Sequence, residues 1–563
     1  PRLSTLASEG MRFAQYYANA PVCSPTRVST LSGSYPLRYG FSRALSGRSR
    51  RGMPGRVVTL AEYLETKGYA TGHFGKWHIG ESRPEFRPTA QGFDTSLIGT
   101  KHPSKPDNFR SGRPSDYFDT TLLRDDTTVI LPTGEHLTKV LTDHAIEFVD
   151  NHRAAPFFLN LWYYAPHWPH QPPATWEALY DGMPYASYAG LLSHTDFQIG
   201  RLLDHLQAEG LAGTTLVFVA SDNGGAPNSR VTNDPLQNSK FTVFEGGIRV
   251  PMMVRYPGMI PTNVTSNAVT ASMDILPTIA ALLGDPPSAV DTTGVSFASA
   301  LRGETWTRST TLFWQFKPEF SEIVESPEGY LNTFAVRSAD WKLLMANREL
   351  HLFDLSIDVQ ETNNVIAAHA AMAESMLADY DAWRSYTSRI DFRVASTAGS
   401  VTVNGSSLVF SGPARAEFDW DPLFDSHDGD FSCRFGLTPL RTGVYQRIIN
   451  KEASWRLRLS NTDLLQLEVT RADGSGVELT GVTPLQLGQR HDVVISFYGL
   501  ESGPPLIRVY VDGFLQFSEQ PVAVIQSNDN TIVVSRDDHP NWLNAEVDNI
   551  ELYAAALTAR DLQ

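Results

Sequence analysis

The sequence predicts three structural units: an α/β domain, a small α+β subdomain and an all-β sandwich of the jelly-roll type. We place them at residues 1–305, 306–388 and 391–563. Strand and helix patterns alternate in the first unit, and this alternation ends near residue 306. Helical periodicity nearly disappears after residue 390. A chain of 563 residues is also too long for one hydrophobic core, so several domains are expected.

Strands and helices alternate in the first unit. Short apolar runs at 157–163 and 215–220 indicate strands that are buried on both faces. Amphipathic segments at 138–152 and 188–209 indicate helices, and Gly210 is a stop signal for the second. This alternation predicts a mainly parallel sheet sandwiched by helices.

The second and third units have shorter elements. Two apolar runs flank the polar residues 337–340, which predicts a hairpin, and a helix is expected over 367–386. After residue 390, turn dipeptides such as Asp473-Gly474 and Asp512-Gly513 separate short alternating runs, which predicts a β-sandwich. These runs are 408–410, 455–459, 465–469, 493–497, 506–511 and 532–534.

Composition excludes several classes of protein. Hydrophobic residues are 42% of the chain, which indicates a globular protein, and the net charge of -16 argues against a nucleic-acid binder. An anionic ligand therefore needs a local cluster of cations. The two cysteines, Cys23 and Cys433, allow neither a disulfide framework nor a zinc cluster. No apolar run approaches the ~20 residues of a membrane span.

The segment around Cys23 is the first candidate site. Pro25 suits a first helical turn, which places Cys23 at a helix N-terminus, where backbone N–H groups favour an anion. Arg27 lies one turn on, on the same face. A lone cysteine is more often a small buried hydrophobic residue, so the functional interpretation of Cys23 depends on the residues beside it.

In two further segments, polar residues follow the end of a predicted strand. A strand near residue 70 runs into a glycine-opened loop that presents Lys76 and His78. The strand at 215–220 is followed by Asp222 and Asn223, whose oxygens suit a hard cation such as Ca²⁺. An Asx-rich turn is the alternative interpretation of the second segment.

Five motifs in one order carry a family resemblance. The chain resembles the formylglycine-dependent sulfatases of the alkaline phosphatase-like superfamily over roughly residues 1–386, and this resemblance implies a mixed sheet sandwiched by helices. The matching strings are CSPTRVSTLSG from residue 23, GYATGHFGKWH from 68, APH from 165, SDNGG from 221 and KFTVFEGGIRVP from 240. The first contains the C-x-P-x-R signature of the family.

The resemblance implies roles for the first motifs. Cys23 would be oxidised to formylglycine by a separate maturation enzyme, and the hydrated aldehyde would supply the attacking oxygen. Arg27 would steady the formylglycine, Lys76 would balance the sulfate charge, and His78 would help to expel sulfate from the covalent intermediate.

The remaining motifs imply the rest of the site. His167 matches the family's candidate acid for the leaving alcohol, and Lys240 would reach the sulfate. Asp222 and Asn223, with the modified Cys23, would hold one Ca²⁺. Glu245 and Arg249 are expected to form a structural pair.

The sequence departs from the family at its start. Sulfatases usually open with a buried strand that ends in two adjacent Asp residues, which complete the metal site. No Asp-Asp pair precedes Cys23 here, and Asp125-Asp126 lies in a polar loop far downstream. We therefore expect a gap in the sheet and weak Ca²⁺ binding by these 563 residues. A fragment of an active enzyme and a degenerate relative both fit this departure.

The third unit resembles the laminin G or concanavalin A-like sandwiches, especially at residues 508–513 and 547–553. A carbohydrate-binding appendage and a docked structural domain are both compatible with this fold. Cys433 is expected to be a small buried residue.

The leading functional hypothesis is hydrolysis of sulfate esters on a sulfated polysaccharide or oligosaccharide by a periplasmic or secreted enzyme. Two alternatives stay open. One is a phosphomonoester or phosphonate hydrolase of the same superfamily, and the other is a catalytically decayed carbohydrate-binding protein.

Overall fold

A computed structural model describes residues 1–387 apart from 46–48, 50, 101–116, 119, 227–231, 317–332 and 347–348. Beyond residue 387 it describes the strands named below and short segments beside them.

The described part of the first 387 residues contains ten α-helices, and those predicted at 138–152, 188–209 and 367–386 are confirmed within three residues. The helices are α1 Arg2–Ser8, α2 Cys23–Ser32, α3 Leu60–Glu65, α4 Leu137–His152, α5 Ala174–Glu177, α6 Ala186–Ala208, α7 Glu245–Ile248, α8 Ile275–Leu282, α9 Ala298–Leu301 and α10 Ala370–Thr387.

The strands of the first two units include the two predicted at 157–163 and 215–220. They are β1 Met11–Tyr17, β2 Ala70–Gly75, β3 Thr95–Thr100, β4 Thr121–Arg124, β5 Thr127–Ile130, β6 Phe157–Trp162, β7 Val217–Ala220, β8 Arg249–Arg255, β9 Val264–Ala271, β10 Leu312–Phe316, β11 Thr333–Ser338, β12 Trp341–Ala346 and β13 Glu349–Asp354.

The α/β domain contains two sheets, with strand orders β7-β8-β1-β9 and β5-β4-β3-β2-β6. Strand β2 pairs in parallel with β3 and β6, and β1 pairs in parallel with β9. The other pairs are antiparallel, so the sheets are mixed, as the family resemblance implied, and the mainly parallel sheet expected from the alternation alone is not found. The difference arises because β4 and β5 form a hairpin around Asp125 and Asp126, both in left-handed conformation, and β8 runs against both of its neighbours.

Strands β6 and β7 each lie at the end of their sheet's strand order. Their apolar side chains are mostly half-buried, in contrast to the buried side chains of β2. A strand with neighbours on both sides in a helix-covered sheet would be buried on both faces. The prediction that these two strands are buried on both faces is therefore wrong, and the expected gap in the sheet stays a prediction.

The α+β subdomain is the antiparallel sheet β10-β11-β12-β13 with α10 packed on it, and the predicted hairpin is β11–β12. A buried ion cluster joins this sheet to the α/β domain. The Lys342 ammonium lies 2.8 Å from Glu245 Oε1 and 2.7 Å from Glu361 Oε1, and all three side chains are fully buried. Arg249 completes the expected pair with Glu245 at 3.4 Å.

The C-terminal unit is all-β, as predicted, and its strands pair antiparallel. All six predicted runs fall within strands, whereas Asp473-Gly474 lies outside the described residues. Cys433 is buried, and burial raises its pKa to about 12. The strands are β14 Arg389–Ile390, β15 Val394–Asn404, β16 Ser407–Phe418, β17 Phe431–Pro439, β18 Gln446–Lys451, β19 Trp455–Leu459, β20 Leu465–Thr470, β21 Gly476–Thr480, β22 His491–Tyr498, β23 Leu506–Val511, β24 Phe514–Glu519, β25 Ile532–Val534 and β26 Ala545–Tyr553.

Among the helices that the structure describes, none is long and apolar enough to cross a bilayer.

Replacing Lys342 with Met should destabilise the first two units strongly. The substitution leaves the Glu245 and Glu361 carboxylates buried together without their shared cation, and loss of one partner from a buried pair costs about 3–5 kcal/mol. Thermal unfolding followed by tryptophan fluorescence measures the effect. Lys67→Met is the matched control, because the Lys67–Asp285 pair is partly exposed. Equal, small shifts in the two variants would contradict a structural role for the cluster.

Candidate active site

Cys23 is the first residue of α2, as the sequence predicted. Its side chain is buried, and Gly33 ends the helix in the left-handed conformation with φ of 65°. The backbone N–H groups of a first helical turn have no partner within the helix, so Cys23 lies at the partial positive end of the helix dipole.

Two side chains contact the Cys23 sulfur directly. Lys240 Nζ lies 3.5 Å from Sγ, and Asn223 Oδ1 accepts from the thiol at 3.3 Å. Lys240 follows a long loop after β7, whereas Asn223 follows β7 immediately. The structure thus brings together residues 200 and more positions apart, as the motifs predicted.

Arg27 links α2 to the carboxyl ends of strands from both sheets. Its Nε and Nη2 donate to Asp222 Oδ2 at 3.0 and 2.6 Å, just beyond β7. Its Nη1 donates to the Lys76 carbonyl at 2.7 Å, just beyond β2. The guanidinium carbon also lies 4.7 Å from the centroid of the Trp162 ring, at the end of β6.

Three buried cations therefore share one small volume: Arg27 is 6%, Lys76 3% and Lys240 8% exposed. The anionic groups beside them are the Asp222 carboxylate and, when ionised, the Cys23 thiol. Buried charges are costly without partners of opposite sign. Among the described residues that act on the Cys23 thiol, three positive and at most two negative charges leave a surplus that favours an anionic ligand.

The pKa shifts follow from this arrangement. Burial and Asp222 raise the pKa of the Cys23 thiol, but Lys240, Lys76 and Arg27 lower it more, so the pKa falls below its ordinary value. Burial lowers the pKa of Lys76. Burial alone would raise the pKa of Asp222, but the same three cations hold it well below its usual range.

His78 lies in the loop after β2 with a left-handed backbone, φ 64°. Its N–H donates to Glu81 Oε1 at 2.5 Å, and its Nε2 lies 3.0 Å from the Leu45 carbonyl, to which it can only donate. Burial and then Lys76 lower its pKa to about 3, so the ring is neutral with Nδ1 as an acceptor. Nδ1 is buried and has no partner among the described atoms.

His167 lies in the loop between β6 and α5. Its carbonyl accepts from the Tyr117 hydroxyl at 3.0 Å, and its Nδ1 lies 2.7 Å from the Trp168 carbonyl. These contacts anchor the loop and do not join the ring to Cys23, so its place in the site stays a prediction.

Sequence reasoning missed Trp162 and Glu81. Glu81 could have been predicted from the sequence, because it follows His78 by three residues. In a loop that reverses direction, this spacing brings a carboxylate back to the His78 backbone N–H. Trp162 could not, because its place under Arg27 depends on the pairing of β6 with β2, in which Trp162 is opposite Gly75.

The predicted metal ligands lie side by side, and their oxygens are the donor type that Ca²⁺ prefers. Ca²⁺ takes about 6–8 oxygens, more than Asp222, Asn223 and residue 23 provide. Asp125 and Asp126 do not complete the set, since they bond to Thr95 and Arg87 beside the β4–β5 turn.

Among the described residues, a group of three clustered ligand side chains lies elsewhere, at Asp150, His205 and Glu209. It is largely exposed, and its members already pair with one another and with Arg153.

A cysteine at a helix start, with cations at the carboxyl ends of the strands around it, is an arrangement that fits a hydrolase of the alkaline phosphatase-like class. Residues 1–285 match the family model for sulfatase, and 238–379 match that for N-sulphoglucosamine sulphohydrolase, C-terminal. The chain belongs to the sulfatase family. Residues 419–563 match the concanavalin A-like lectin/glucanases superfamily, a laminin G-like domain.

Relatives and solved structures agree with this assignment. N-acetylgalactosamine-6-sulfatase of Sus scrofa is 34% identical over 309 residues, 51% of this chain and 58% of that protein. Arylsulfatase A of Bos taurus is 31% identical over 412 residues, 65% of this chain and 78% of that protein. The chain thus spans little more than half of the first relative. The crystal structure of Ps i-CgsB in complex with k-i-k-neocarrahexaose superimposes with a TM-score of 0.61 at 26% identity, covering 68% of this chain and 86% of that one.

In the metal-free protein with an unmodified Cys23, the thiol should ionise below its ordinary pKa, and Lys240→Met should raise that pKa. The cause is the loss of a positive charge 3.5 Å from the sulfur. A pH titration of thiolate ultraviolet absorbance measures it, and Cys433 stays silent because its pKa is about 12. Lys67→Met is the control. An unchanged pKa in Lys240→Met would contradict the described contact.

Proposed function

We propose that this protein hydrolyses sulfate esters of a carbohydrate, using a formylglycine made from Cys23. The observation that carries the proposal is the surplus of buried positive charge around residue 23, from Arg27, Lys76 and Lys240. A sulfate monoester is a compact anion that needs such a cluster in a chain with a net charge of -16. Relatives named for sugar sulfates support the carbohydrate class.

In the converted enzyme, oxygens of the hydrated aldehyde take the place that the Cys23 sulfur has in this structure. Lys240, within contact of that atom, would stabilise negative charge that develops on the bridging oxygen. Lys76 would balance the charge of the sulfuryl group. Arg27, held by Asp222 and the Lys76 carbonyl, would hold the diol in one orientation.

Two histidines would move the protons. His78 is neutral and presents a buried Nδ1 acceptor, which suits the removal of a diol proton when sulfate is expelled from the covalent intermediate. His167 would donate a proton to the leaving alcohol.

Asp222, Asn223 and residue 23 would hold one Ca²⁺. A bound cation supplies charge to the sulfate oxygens and lowers the pKa of the diol. Asp222 would also accept the proton of the attacking diol, and its low pKa keeps it ionised for metal binding.

The C-terminal unit supports the proposed substrate class. A laminin G-like domain would hold the catalytic domain on a sulfated polysaccharide or oligosaccharide. The partners are then the sulfated carbohydrate and a formylglycine-generating enzyme, and the protein acts in the periplasm or outside the cell.

Co-expression with a formylglycine-generating enzyme should convert Cys23 and switch on turnover of 4-nitrophenyl sulfate. Peptide mass spectrometry detects the replacement of the thiol by an aldehyde. The converted full-length protein, meaning the complete product of the gene that encodes these 563 residues, should show a kcat/KM for the aryl sulfate that exceeds the value for the matched aryl phosphate. Cys23→Ala should be inactive, whereas Cys433→Ala should keep wild-type rates.

The same measurement separates the alternatives. A preference for the phosphate would favour a phosphomonoesterase or phosphonate hydrolase. Sugar binding that survives Cys23→Ala, together with no hydrolysis by the converted full-length protein, would favour a decayed binding protein.

Calcium should bind weakly to these 563 residues, with a Kd of about 10⁻⁴–10⁻³ M, because two side chains supply few ligands. Isothermal titration calorimetry measures the affinity. Asp222→Ala should abolish binding, whereas Asp126→Ala should not change it. Micromolar affinity, or full aryl sulfate turnover at ordinary Ca²⁺ by these residues, would refute the expectation of an incomplete site.

A further inference from the structure

Trp162 contacts Arg27 but belongs to none of the five sequence motifs. It ends β6, the last strand in the order of its sheet among the described residues, and is half-buried. The guanidinium carbon of Arg27 lies 4.7 Å from the ring centroid, within the range of a cation–π interaction, which is strongest with tryptophan and with desolvated cations. Arg27 is 6% exposed, so it meets that second condition.

The backbone of Trp162 serves the second cation of the site. Its carbonyl accepts from the Lys76 N–H at 2.7 Å. The strands approach closely here, since a Cβ on Gly75 would lie 1.9 Å from the same carbonyl. One residue thus supports Arg27 through its ring and Lys76 through its backbone, and a side-chain substitution removes only the first support.

Two aromatic side chains pack against the Trp162 ring. His73 lies edge-on at 5.5 Å between centroids, and Trp77 lies nearly parallel at 6.5 Å. Burial and then Arg27 lower the pKa of His73 to about 3, so this neighbour adds no competing charge. The surface beneath the guanidinium is therefore aromatic and neutral.

We propose that the Trp162 ring is a positioning residue that fixes the plane of Arg27 for the reaction at residue 23. The role rests on the proposed function. Asp222 also holds Arg27, but that carboxylate is shared with the cation site, whereas the ring contact does not depend on the metal. The ring therefore keeps the guanidinium in place whether or not Asp222 has a second partner.

The main experiment weakens the cation–π interaction of the Trp162 ring without changing the shape of the side chain. Tryptophan analogues with one, two and three ring fluorines are placed at position 162 of the converted full-length protein by amber suppression. Aryl sulfate kcat should fall stepwise with fluorine number, to about tenfold below wild type, while KM stays within about twofold. Equal kcat across the series, at unchanged melting temperature, would overturn the proposal.

Simple variants provide the controls. Trp162→Leu should lose about tenfold in kcat and Trp162→Phe about threefold, because Phe keeps a weaker π face. Phe158→Leu, on the same strand, removes a ring that stacks on Phe93 at 5.9 Å. It should cost stability without a matching loss of kcat. A kcat loss in Phe158→Leu as large as in Trp162→Leu would identify a packing effect and overturn the role.

A readout that needs no activity keeps this proposal separate from the proposed function. Crystal structures of wild type and Trp162→Leu should differ at Arg27, with the guanidinium displaced or in two conformers in the variant. An Arg27 that is unmoved and equally ordered would overturn the positioning role. Wild-type protein that hydrolyses no sulfate ester would instead refute the proposed function, whatever Arg27 does in the crystals.

Discussion

The set of contacts around Arg27 is the interaction on which the site depends. Two separate sheets reach the site, one through β7 and the other through β2 and β6. Arg27 bonds to Asp222 after the first and to the Lys76 carbonyl after the second, and it stacks on Trp162. An arginine suits this position because its planar fork can donate in several directions while its face packs on a ring. Residue 23 lies one turn before Arg27, so the same contacts fix its location.

Charge balance explains why the buried cluster of cations is stable and why it favours an anionic ligand. A chain with a net charge of -16 repels anions in general, so an anionic ligand binds only where cations are concentrated. Burying Arg27, Lys76 and Lys240 is tolerated because Asp222 and the residue 23 position offer negative partners. The remaining positive charge is what a sulfate group would neutralise. Family membership and site electrostatics therefore point to the same chemistry on independent grounds.

Local signals predicted much of this arrangement. The helix start at Cys23, the loop after β2 and the polar pair after β7 are short-range patterns, and each lies where the sequence indicated. Long-range features were not predictable in the same way. The contact of Trp162 with Arg27 follows from strand register, and the Lys342 cluster joins residues from three separate segments. The alternation of strands and helices alone did not predict the mixed sheets, which the family resemblance implied, because β5 exposes most of its side chains and so has little hydrophobic pattern.

In the proposed reaction residue 23 is the nucleophile and forms a covalent sulfate ester. Intact mass spectrometry of Cys23→Ser after incubation with an aryl sulfate tests this step, since a serine ester has no second hydroxyl to expel the sulfate. We predict that the full-length variant gains one sulfo group, located at residue 23, and that adding Lys240→Met prevents the gain. No gain, or a sulfo group at another residue, would contradict it.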